Sequence, residues 1–221
     1  MILALVNVIE LRQYRLHPGR RDELVEIFDR EFVESQEEAG IAVLGQFHDL
    51  DDPDKFVWLR GFADMAARGK ALPAFYDGPV WAEHGLAASA TMVDASDARL
   101  LRPLRGLPDP PPRPPAGAAP PRTRVTAFLW SFGERLAEAE PVMRDEVVPR
   151  FGPEALAFAT LTAENNFPRL PLRTGDGHVI VITTGPGAVP AGLPAGIPEP
   201  ERLRLAPTGR SLLGAVHEAE G

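Results

Sequence analysis

The chain has 221 residues, 44% of them apolar and 24% charged, with a formal charge of −8 and no cysteine. That length fits two small domains of about 100 residues each, and the missing cysteines exclude disulfides, thiolate nucleophiles and cysteine-ligated metal centres. Acids outnumber bases 18 to 11 before residue 103 and 12 to nine after residue 122, which argues against a nucleic-acid or anionic-membrane surface.

The first predicted element is a strand over residues 4–16. Leu5, Ile9 and Leu11 share one face, and Val6, Val8, Glu10, Arg12 and Tyr14 share the other. The apolar start lacks a basic n-region and reads as strand rather than signal peptide, and no apolar run approaches the roughly 20 residues that span a bilayer. A cytoplasmic protein is the expectation. His17-Pro18-Gly19 breaks the strand, and a helix follows with the stripe Leu24, Ile27, Phe28 and Phe32, first-turn acids Asp22 and Glu23, and a stop at Gly40.

Strands are predicted at residues 41–49 and 55–62, joined as a hairpin by an acidic turn. Asp49, Asp51, Asp52 and Asp54 lack the central glycine and distal glutamate of a calcium loop, so a solvated turn is expected. Asp64 is placed as the N-cap of a second helix towards Tyr76, Pro79 opens a short turn to His84, and a strand covers residues 89–101. The order is β-α-β-β-α-β, the ferredoxin-like split unit.

Residues 103–122 contain nine prolines. A polyproline II segment outside any core is expected, with a reach of about 60 Å that fixes no domain geometry. The element order then recurs: a strand at 124–130, a helix carrying Leu136, Ala139, Met143, Val147 and Phe151 with Pro141 at a first turn or a kink, and strands at 155–162 and 178–184. The glycines and prolines of 185–200 preclude a regular second helix, and a last strand falls near 202–206 or 210–214. The predicted organisation is a first domain over 1–102, a linker over 103–122 and a degenerate second copy over 123–221.

Glu10, Arg12 and Tyr14 on the first strand should share a sheet face with Phe56, Trp58, Arg60 and Phe62 on the third. A face mixing large aromatics with charges suits a sheet-to-sheet interface or the wall of a cavity. Glu10 could equally pair with Arg12 or Arg60 as a structural ion pair at a domain interface. The candidate ligand contacts are Glu10, Arg12, Trp58, Arg60, Phe62, Tyr76 and Trp81. The candidate catalytic residues are Tyr14 and His84, although His84 could simply end a helical turn as a cation. His17, His48, His178 and His217 have no partners at metal-ligand spacing, so no metal is expected. Gly185-Pro186-Gly187 cannot open a dinucleotide-binding helix because prolines follow, and no cofactor is expected.

The runs Ile9-Glu10-Leu11-Arg12-Gln13-Tyr14-Arg15-Leu16-His17-Pro18-Gly19, Phe56-Val57-Trp58-Leu59-Arg60-Gly61-Phe62 and Gly78-Pro79-Val80-Trp81-Ala82-Glu83-His84 resemble the NIPSNAP family, whose wider relatives are the dimeric α/β-barrel proteins. The resemblance covers residues 5–102 best and weakens over 123–213, where Leu205-Ala206-Pro207-Thr208-Gly209-Arg210-Ser211 looks like a family-style ending. It implies an α+β fold of two tandem ferredoxin-like modules, the second lacking a regular second helix, with open sheet faces packed into a barrel around an internal cavity. The wider superfamily includes cofactor-free monooxygenases and isomerases. The resulting expectation is a protein that binds a small, partly apolar molecule in a barrel cavity, as a cofactor-independent oxygenase or isomerase, paired as a homodimer or between its own domains. The alternative is a non-catalytic binding or assembly module whose sheet faces serve domain pairing and oligomerisation.

Overall fold

A computed structural model of the chain describes residues 6–108, 111–185 and 187–215. Leu5, at the tip of the first predicted strand, and His217 lie outside the described residues. The strands are β1 Val8–Leu16, β2 Ala42–Asp49, β3 Lys55–Phe62, β4 Met92–Pro103, β5 Val125–Ser131, β6 Leu156–Thr160, β7 His178–Thr184 and β8 Glu201–Pro207. They close into one antiparallel barrel in the order β1-β3-β2-β8-β5-β7-β6-β4. Each half of the chain contributes its strands in the same relative order, and the halves join at two antiparallel seams, β2 with β8 and β4 with β6. Pairing of the sheets therefore takes place within one chain.

Alternation gives every strand two faces, and the barrel selects the aliphatic one. Ile9, Leu11, Val57, Leu59, Ala127, Leu129, Ile180 and Leu203 fill the interior and are buried. An eight-stranded barrel is just wide enough for such side chains. The face carrying Glu10, Arg12, Tyr14, Trp58, Arg60 and Phe62 points outward and is covered by helices instead. This corrects the expected sheet-to-sheet position of that face. Val6 also departs from the expected alternation: it precedes β1 and packs inward, where a Cβ on Gly61 would lie only 2.5 Å from it.

The helices of the first half are α1 Arg21–Ile27, a π-helical turn Phe28–Phe32, α2 Val33–Glu38, α3 Met65–Tyr76 and α4 Pro79–Ser89. Gly40, at φ +91°, ends the α2 segment in a conformation that favours glycine. The Asp64 carboxylate accepts the Ala67 N–H at 2.7 Å, as an N-cap should. Pro79 sits in the first turn of α4, which runs past the predicted end at His84 to Ser89.

The second half repeats the device with α5 Leu136–Val142 followed by a π-helical turn Met143–Val147. In both halves the π turn begins after an α-helix of seven residues. Pro141 lies in the last turn of α5, next to the π turn, rather than in a first turn. Met143 and Val147 are buried as the predicted stripe requires, with Leu136, Ala139 and Phe151 packed against them. Among the described residues, no helix lies between β7 and β8, and none is long and apolar enough to cross a membrane.

The proline-rich segment is anchored, contrary to the expectation of a free tether. Leu104 packs on the second half's helix-side cluster and Leu107 on the barrel interior. Arg113 donates to the carbonyls of Val43 and Arg210 and pairs with Glu37. Apolar and basic residues between the prolines supply contacts that a polyproline backbone cannot make alone. The acidic turn after β2 is held by its own hydrogen bonds, with the Asp49 carboxylate accepting the N–H groups of Asp51 and Asp52.

Candidate functional site

The register of β1 against β3 sets the charged residues side by side, with Glu10 opposite Arg60, Arg12 opposite Trp58 and Tyr14 opposite Phe56. Glu10 Oε2 accepts from Arg12 Nη1 at 2.9 Å and from Arg60 Nε and Nη2 at 2.9 and 2.7 Å. Glu10 Oε1 accepts from Arg68 Nε, on α3, at 2.7 Å. All four side chains have 0% solvent exposure. Burial pushes the Glu10 carboxyl up, but Arg60, Arg12 and Arg68 together outweigh it and hold the group well below the ordinary carboxylate range. The ion-pair expectation therefore holds for both Arg12 and Arg60, in the layer between barrel and helices.

The hub continues into aromatic side chains. Arg12 Nε donates to the Tyr14 hydroxyl at 3.0 Å and Arg60 Nη1 to the Tyr76 hydroxyl at 3.4 Å. The Arg60 guanidinium stands 5.1 Å from the Trp58 ring and 5.6 Å from that of Phe62. Three guanidiniums share one carboxylate, so the hub carries a formal charge of +2 away from water. Burial lowers the affinity of Arg68 for its proton, with Glu10 opposing.

Beside the hub lies a pocket of about 460 Å³. Its walls include Arg12, Tyr14, Tyr76, Trp81, Ser89, Met92 and Ala95 from the first half, and Phe167, Arg169, Leu170 and Pro171 from the second. Behind it a void of about 20 Å³ is lined by Phe28, Phe32, Gln36, Trp58 and Phe75 together with Tyr14, Tyr76 and Trp81. The buried Trp58 Nε1 and Gln36 Oε1 have no hydrogen-bond partner. Trp81 packs edge-on to Tyr76, with centroids 4.6 Å apart.

The wall from the second half is the chain between β6 and β7. Asn165 and Asn166 accept from Arg68 Nη1 at 3.1 and 2.6 Å. Phe167 stacks on Tyr76 at 5.7 Å, and Arg169 lies over Phe167 while pairing with Asp77 at 2.8 Å. The two halves thus build one site. On the corresponding outer face of the second half stand Phe128, Trp130, Val179 and Val181, packed against Met143 and Val147. A hollow of about 590 Å³ there is lined by Arg102, Glu134, Glu140 and Asp176, and Arg102 is paired with Glu140 at 2.6 Å.

Of the residues singled out from sequence, Arg12, Tyr14, Tyr76 and Trp81 line the pocket, and Trp58 lines the void behind it. Glu10, Arg60 and Phe62 lie one layer beneath. His84 does not line the pocket; its Nε2 is 3.6 Å from Glu31 and 3.7 Å from Glu83. Sequence reasoning missed Arg68, Asn165, Asn166, Phe167 and Arg169. Arg68 left a readable signal: it shares a helical stripe with Ala71, Leu72 and Phe75, all buried, and a charge on an apolar stripe calls for a buried partner.

Fold and site together define an α+β protein with a closed antiparallel barrel and a ligand-sized pocket under its helices. The NIPSNAP family model matches residues 9–108, so that stretch of the chain carries a NIPSNAP domain. The domain holds β1 to β4, α1 to α4 and all four residues of the hub.

The chain is similar over 96% of its length to a "putative monooxygenase" from Fusobacterium nucleatum, of which it covers 96%, with 9% identity and a TM-score of 0.60. A protein of the same name from Lactobacillus acidophilus gives 9% identity, 96% and 98% coverage and a TM-score of 0.57. At such identities the likeness shows a shared fold. A NIPSNAP family protein from Agrobacterium tumefaciens is 20% identical over 43% of this chain and 84% of its own, with a TM-score of 0.41. No match is found among curated proteins.

Proposed function

We propose that the chain binds a small, partly apolar molecule in the pocket between the outer face of β1 and helices α3 and α4. The observation that carries this reading is the pocket itself: about 460 Å³ in volume, within the size range of small-molecule sites, walled by aromatic rings and floored by Arg12. Within the same reading the two halves are ferredoxin-like modules. The second has given up its helix and lends the loop that closes the first one's pocket. The reaction class to test first is cofactor-independent oxygenation, followed by isomerisation; the two neighbours named as monooxygenases set that order and nothing more.

The assembly reading has one observation in its favour, since the aliphatic sheet faces of both halves are consumed in closing the barrel. That pairing is internal and leaves the helix-side pocket unexplained.

The test is a thermal-shift screen of the full chain against small aromatic and alicyclic compounds, repeated on Trp81→Ala. Ligands that raise the melting temperature of the wild type and lose the effect in the variant support the reading. Ligands that act equally on both would refute it.

A further inference from the structure

We infer that the ligand of this pocket is a carboxylate on a flat apolar body, held with its charged end towards Arg12 and its rings among Tyr76, Trp81 and Phe167. This rests on the reading that the pocket binds a small molecule and adds the charge class of that molecule.

Charge is the first argument. Glu10 compensates one of three buried guanidiniums, and the two remaining positive charges are offset by ring faces and neutral oxygens from Tyr14, Tyr76, Asn165 and Asn166. Uncompensated charge in a low-dielectric layer attracts a counter-ion far more strongly than the same charge in water. In a chain of formal charge −8, this concentration of positive charge beside a hollow is a local feature that the overall composition does not explain.

Geometry is the second. Arg12 is the hub member that borders the pocket. Its Nη2 makes the longest of its hydrogen bonds, 3.3 Å to the carbonyl of Ala95, which also lines the pocket. A carboxylate is a stronger acceptor than that carbonyl and matches the planar guanidinium. At the mouth stands Arg169, already paired with Asp77 at 2.8 Å, and Asp94 is the acid of the lining. The carboxylate of Asp94 accepts the backbone N–H of Ser96 at 2.8 Å. The rings of Tyr76, Trp81 and Phe167 suit a flat hydrocarbon rather than a sugar or a flexible chain.

The experiment is calorimetric titration of the full chain with 2-naphthoate and with 2-naphthamide, which share shape and differ in charge, on the wild type and on Ser89→Trp. Ser89 is an exposed pocket residue whose enlargement fills the cavity without touching the hub. The expected result is at least about tenfold tighter binding of the acid than of the amide, a difference of about 1.4 kcal/mol, and loss of both in the variant. Equal affinities would overturn the carboxylate inference and leave the pocket reading standing. Binding of neither compound at millimolar concentration, or binding that survives Ser89→Trp, would overturn both.

Discussion

Glu10 is the residue on which the site's electrostatics turn. Replacing it with glutamine leaves Arg12, Arg60 and Arg68 buried without an anion, and breaking a buried charge set in this way costs about 3–5 kcal/mol. Chemical denaturation of Glu10→Gln should show a loss of that size, whereas a loss below about 1 kcal/mol would mean that water reaches the hub.

The second titrating group of interest is Asp29, in the first π turn, where it accepts from the Thr208 hydroxyl at 3.0 Å. Burial pushes its carboxyl up to about 6, against the lowering effect of Thr208, Arg210 and Arg113. The folded state then favours the protonated acid, so this stabilisation is complete below the ordinary value of 3.8 and is lost as pH rises through about 6. An Asp29→Asn variant should gain stability relative to wild type as pH is raised from 4 to 7. A difference that stays flat or falls would show that the Asp29 acid is not raised.

At the level of elements, Gly85 shows how a helix is shaped by the pocket. A Cβ at this position in α4 would meet the Trp81 ring at 2.6 Å. Alanine normally stabilises a helix interior by about 1 kcal/mol over glycine, but here it must push Trp81 away from Phe32, Phe75 and Tyr76. Gly85→Ala is therefore expected to alter the near-ultraviolet circular dichroism and to weaken ligand binding, with no gain in melting temperature. A stabilised variant with an unchanged spectrum would contradict that role.

The elements were the most legible part of the sequence. Alternation located β3 and β7 to the residue, and Gly40 and Asp64 marked helix ends through backbone conformation and capping. Which face of a strand turns inward was not legible, because period-two alternation separates Leu11 and Leu59 from Arg12 and Trp58 without saying which pair meets the other sheet. Barrel width decides it, and width depends on closure by strands over a hundred residues away. The loop carrying Asn165, Phe167 and Arg169 was unreadable for the same reason: its partners Arg68 and Tyr76 are distant in sequence and its own residues have no period.

For the whole molecule, the two halves of the chain divide the labour. The first half carries the charge hub, and the second supplies four barrel strands, the wall over the pocket and a clasp in which Arg210 pairs with Glu34. The linker takes part, since a side chain on Gly209 would run into the backbone of Ala118. Arg113→Ala removes contacts to Val43, Glu37 and Arg210 at once, and the melting temperature should fall by several degrees. An unchanged melting temperature would restore the picture of a free tether.

The position of the ligand is the decisive observation. A crystal structure of the full chain grown with 2-naphthoate should show the rings between Tyr76, Trp81 and Phe167 with the carboxylate turned to Arg12. Density for the compound inside the barrel, among Leu11, Leu59 and Ile180, would contradict it.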